Sequence, residues 1–99
     1  KIRKDMLRTA WFAFKREVRK VASFWNDPEM GDPDFFRKSL KPLIDRYEAA
    51  GVEMGNPDAW TSGTVDRFWP NLKDWMEFKY TVSALRTEYL KSKMFAESR

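Results

Sequence analysis

The stretch that decides the fold is WPNLKDWMEFKYTVSALRTEYLKSKMF, residues 69–95. Leu72, Trp75, Phe78, Val82, Leu85 and Tyr89 recur there at alternating three- and four-residue steps, which places them on one face of an α-helix, with Met76 and Tyr80 widening the stripe. Pro70 falls in the first turn, where its missing N–H leaves no bond unmade. A face this apolar needs cover, and the rest of the chain reads as its packing partners.

The strongest partner lies at the other end of the sequence. Within residues 1–25, Leu7, Trp11, Phe14, Val18, Val21 and Trp25 follow a seven-residue apolar repeat for nearly three heptads. The first and last helices are therefore expected to be the main packing pair, with Trp11, Phe14 and Val18 toward the side of the last helix that carries Val82, Leu85 and Tyr89. The other faces of the first helix hold Lys1, Arg3, Lys4, Arg8, Lys15, Arg16, Arg19 and Lys20 against Asp5 and Glu17: eight basic residues against two acidic, a charge of +6. Residues 26–99 hold eleven basic against thirteen acidic, a charge of −2, so the overall +4 is a basic helix joined to a mildly acidic remainder.

Between the two long helices the sequence is punctuated. In NDPEMGDPD, residues 26–34, two Asp-Pro steps and a glycine end the first helix. Asp32 is placed to cap the next one, with Pro33 at its first position and Asp34 beside the positive terminus. That helix takes its stripe from Phe36, Leu40, Leu43, Ile44 and Tyr47, and Pro42 inside it predicts a kink or a split. Gly51 reads as its C-terminal stop, with Val52 making the hydrophobic contact of a Schellman ending. In EMGNPDAWTSG, residues 53–63, Asn56, Pro57 and Asp58 can open one short helical turn that tucks Trp60 against the core, and Thr64 is the next cap, before a turn through Val65 and Phe68. No stretch alternates apolar and polar residues over a strand's length. The expected fold is all-α: one domain over residues 1–99, a small irregular three- to four-helix bundle with two long terminal helices, a kinked middle helix and an ordered loop.

Composition narrows the function. The apolar share of 42% against 34% charged suits a globular chain, and no apolar run nears the roughly 20 residues that a membrane span needs. The absence of His and Cys removes the usual general base near neutral pH, the usual nucleophile pair and the commonest nitrogen and sulfur metal ligands. Asp27, Glu29, Asp32 and Asp34 share a loop, but their spacing does not match an EF-hand and they read as turn and cap residues. The four glycines, at 31, 51, 55 and 63, are too dispersed to cradle a phosphate. No enzyme, cofactor or metal is expected.

What remains is binding. Eight Phe, five Trp, three Tyr and five Met exceed what 99 residues bury with ease, so aromatic surface is left over. Trp60, in a loop among polar residues, and the offset row Tyr80, Leu90 and Met94 are its candidates. Arg8, Lys15, Arg16, Arg19 and Lys20 form the basic one. The leading expectation is a non-catalytic accessory or scaffolding subunit that docks on a larger protein assembly through both, including peripheral attachment to a membrane complex. The alternative is a nucleic-acid-binding helical domain that uses the basic N-terminal helix, against which stand the missing helix-turn-helix spacing and the bulky aromatics on the same helix.

The segment VDRFWPNLKDWMEFKYT, residues 65–81, resembles the stretch that opens the first long helix of the PsbQ family, extrinsic four-helix-bundle proteins on the lumenal side of photosystem II. It covers about a sixth of the chain. Three further helices follow in that family, where here the sequence reaches Arg99 and a different helix precedes. The resemblance implies an accessory subunit. The sequence opens on Lys1 rather than Met, which fits a processed product, a domain excerpt or an ordered fragment, and an organellar location after loss of a targeting peptide is one expectation.

Overall fold

Helix α1, Ile2–Trp25, turns the heptad repeat into a buried seam: Leu7, Trp11, Phe14, Val21 and Trp25 are enclosed and Val18 packs against them half-buried. The computed structural model describes residues 2–97, and Lys1 of the basic helix lies outside the described residues. Asn26 and Asp27 then leave the helix, and Asp32 opens the next one as expected, its carboxylate accepting the Phe35 amide with Pro33 at the first position.

Helix α2, Pro33–Phe35, runs through a wide turn, Phe36–Leu40, directly into α3, Lys41–Met54. In that turn the Lys41 amide donates to the Phe36 carbonyl, five residues back rather than four. The extra residue answers Pro42, which offers no N–H and would crowd the carbonyl of an ordinary preceding turn. Phe36, Leu40 and Ile44 all reach the core across it. The interruption expected at Pro42 is therefore a widening, and the two parts do not separate.

Two expected helix ends are corrected. Gly51 does not stop α3. It lies buried inside the helix beneath the Trp11 indole, where an added methyl would sit 2.2 Å from the ring. The stop is Gly55, whose φ of 75° favours glycine, and Val52 is 74% exposed and makes no Schellman contact with the core. After the short turn Pro57–Ala59, Thr61 rather than Thr64 caps α4, Ser62–Phe68, accepting the Thr64 amide.

Helix α5, Asn71–Glu97, is the longest element and forms its most extensive interface with α1. The two run parallel. Trp11 meets Trp75 and Phe14 meets Phe78, each at 4.9 Å between ring centroids, and Trp25 meets Tyr89 at the same distance. All three pairs are 64 residues apart (11 to 75, 14 to 78, 25 to 89). Trp11 and Phe14 thus face the start of α5, not Val82, Leu85 and Tyr89 as expected. Helices α2 and α3 together return antiparallel, with Phe35 of α2 at the Trp25 end, and Tyr47 of α3 beside Phe14 and Phe78 and Gly51 under Trp11. Helix α4 closes the other end, tied to α1 by Arg3 and Asp66 at 2.7 Å.

The core is apolar throughout. Among the described residues no polar or charged side chain is buried, and the polar tips of its aromatics donate to backbone carbonyls: Trp60 to Gly55, Trp75 to Tyr47 and Tyr89 to Gly31. Described residues form helices and turns with no strand, an all-α bundle as the sequence predicts. No described helix is long and apolar enough to cross a membrane.

Candidate docking surface

The parallel pair α1 and α5 is covered by α3 on one side only. On the other, a groove of about 580 Å³ runs between them, lined from α1 by Ile2, Asp5, Met6, Thr9, Ala10, Ala13 and Glu17 and from α5 by residues 75–77, 79 and 80. No residue of 18–74 lines it. Ile2, Met6, Thr9, Ala13 and Glu17 recur at three- and four-residue steps, a second stripe of α1 beside the seam that the core uses. Its middle is small and its flanks are long and flexible. Ile2, Met6, Met76 and Tyr80 are exposed there, Met76 at 52% and Tyr80 at 67%.

The sequence placed Met76 and Tyr80 both on the buried stripe and, for Tyr80, on a contact row. The structure takes them off the buried stripe. On α5 they begin a row of their own, Met76, Tyr80, Ser83, Thr87, Leu90 and Met94, at steps of four, three, four, three and four. Tyr80 lies in the groove, while Leu90, half-buried, and Met94, exposed, lie farther along the same face beyond the polar Ser83 and Thr87. Trp60 belongs to neither. It is only 4% exposed, folded into the core by the Asn56-capped turn, with its indole N–H on the Gly55 carbonyl. Its polar sequence neighbours suggested surface; the turn hides the ring and leaves those neighbours outside.

The five basic residues of α1 expected to make the contact, Arg8, Lys15, Arg16, Arg19 and Lys20, fall into three groups. Arg8 is held between Asp5 at 3.3 Å and Asp58 at 3.8 Å, a structural role in joining α1 to the loop before α4. Lys15 lies over the rings of Trp11 and Phe12. Arg16, Arg19 and Lys20 are exposed, with no carboxylate within ion-pairing distance among the described residues. None of them falls in the last turn of α1, so the helix dipole does not account for them, and a solvated helix face is the ordinary structural reason for cations there.

The groove residues Ile2, Met6 and Ala13 were missed because the heptad repeat draws attention to a single stripe. The signal was present as a parallel row, since Ile2, Met6, Ala10 and Ala13 are also apolar at helical spacing. Among the described residues no three acidic, His or Cys side chains converge where a metal would sit. Asp27 and Asp32 accept amides of their own turns. The hydrogen bond from Lys41 to Asp45 raises the Lys41 pKa, but this pair is exposed on α3 and does not line the groove. Comparison with known proteins finds no matching family model, no similar curated protein and no similar solved structure, so the resemblance of residues 65–81 to the PsbQ family gains no support.

Proposed function

We propose that this chain is a non-catalytic accessory or scaffolding subunit that docks on a larger protein assembly through the groove between α1 and α5. The observation that carries the reading is the groove itself. Four of the nine large apolar side chains exposed among the described residues, Ile2, Met6, Met76 and Tyr80, lie together in it, the arrangement of a surface whose cover comes from another molecule. Arg16, Arg19 and Lys20 supply a second, electrostatic contact on the same helix. Met76→Lys with Tyr80→Lys tests this: both side chains are solvent-exposed, so each change should alter stability by less than about 0.5 kcal/mol while association with the native assembly is lost. Undiminished association of the double variant would overturn the reading.

The unpaired cations favour one second reading, nucleic-acid binding by the later half of α1. Each phosphate contact would contribute about −0.9 to the slope of log affinity against log salt, so three cations predict a slope near −3. Absence of retention on a polyanion column at low salt would remove it.

A further inference from the structure

We propose that the groove is the seat of a fourth long helix: an amphipathic helix of a partner protein, apolar along one face and carrying Lys or Arg along its edges. This rests on the docking reading and names its partner. The lining on α1 extends from Ile2 to Glu17, about 22 Å or four helical turns, and that on α5 from Trp75 to Tyr80, about 8 Å, so α1 forms the long wall of the seat and α5 closes it over about one and a half turns. Thr9, Ala10 and Ala13 keep its floor low, which lets a helix approach to the 8–10 Å usual between packed helices. Met6 and Met76 at its sides are unbranched and adjust to the shape of an incoming ridge. A peptide helix in such a groove reads as anchors at i, i+3, i+4 and i+7.

Charge selects among helices. Three carboxylates line the groove, Asp5, Glu17 and Glu77, against the single ammonium of Lys79. Asp5 is shared with Arg8, and Lys79 lies 5.0 Å over the Tyr80 ring. Glu17 and Glu77 have no cation within ion-pairing distance among the described residues. Cations on the occupant's edges meet them; an acidic helix is repelled. The same arithmetic disfavours a second copy, since symmetric pairing of two grooves would gather six carboxylates around one seam. Nor can the chain offer its own basic helix, because the apolar seam of α1 is already buried.

The test is selection from displayed 18-residue helices with a fixed Leu, Met and Ala row and edge positions randomised among Lys, Arg, Asp, Glu, Gln and Ser, panned against the intact chain. Selected edges should be enriched several-fold in Lys and Arg. Binding should fall at least tenfold with Ala13→Trp, which fills the half-buried floor of the groove, and equally with Met6→Lys, both checked by thermal melting. Glu17→Lys with Glu77→Lys should turn the preference toward acidic edges. Acidic or unbiased edges, no binders, binders indifferent to Ala13→Trp and Met6→Lys, or self-association that competes for the groove would each overturn the proposal. If a partner of the native assembly binds the chain but is indifferent to Ala13→Trp, docking survives and the fourth long helix fails. Selected basic helices with no protein assembly at all would leave the groove's preference standing and sink the docking role.

Discussion

Trp11 and Gly51 act as one unit. The indole lies where a Gly51 side chain would be, stacks against Phe14 at 5.8 Å and meets Trp75 at 4.9 Å, so it joins all three long helices. Trp11→Ala should cost about 3–5 kcal/mol, and Gly51→Ala about 1–3 kcal/mol because it forces the ring out of place. The two should not add. In the Trp11→Ala background the added methyl enters the vacated space, and a double-mutant cycle by denaturant unfolding should show coupling of about 0.5–3 kcal/mol. Full additivity would mean that the ring does not rest on Gly51. Trp11 was legible in the sequence through its heptad position, but Gly51 was not: a glycine late in a helix reads as a terminator, and only the partner across the interface shows that it is a recess. Gly31 is similar. A methyl there would lie 2.3 Å from the Phe24 carbonyl, and the Gly31 carbonyl accepts the Tyr89 hydroxyl, so one small residue fastens the loop to both long helices.

The parallel direction of α1 and α5 is the feature that periodicity alone cannot supply. A stripe states which face is buried and says nothing of which way the partner points; here the length of the return helix and the loop before α4 decide it. The consequence is measurable with spin labels. Ser23 and Thr87 are exposed and 64 residues apart, so labels there should be level on neighbouring helices, whereas Ser23 and Lys73 should be about 20 Å apart along the axis, fourteen residues of rise. Comparable distances for the two pairs, or a shorter one to Lys73, would contradict the parallel register. The helices themselves, the Asp32 cap and the interruption near Pro42 could be read from the chain because each rests on a local rule. The wide turn could not, since whether Pro42 breaks a helix or widens it depends on Phe36 and Leu40 both having a core to reach.

The whole molecule is a rod, 56 × 19 × 16 Å, with a radius of gyration of 16.0 Å where a rounded chain of this length would have about 13 Å. A rod built on a parallel pair has two long flanks, and α3 covers one. The charge asymmetry visible in the sequence belongs to this level too. Reversing Arg16, Arg19 and Lys20 to Glu should leave the melting temperature nearly unchanged, because exposed charges contribute about 0–1 kcal/mol, while slowing association with an acidic partner surface and inverting its salt response. Arg8 is left out of that set because its pairs with Asp5 and Asp58 make it part of the fold. If the uncovered flank is where another protein sits, site-specific photo-cross-linking in the native extract will find that protein there. Photoreactive residues at Met76 and Tyr80 should capture one dominant foreign protein, a photoreactive residue at the still more exposed Val52 on α3 should not, and Ala13→Trp should abolish the capture. Equal capture from both flanks, capture of a second copy of this chain alone, or none at Met76 and Tyr80 would contradict it.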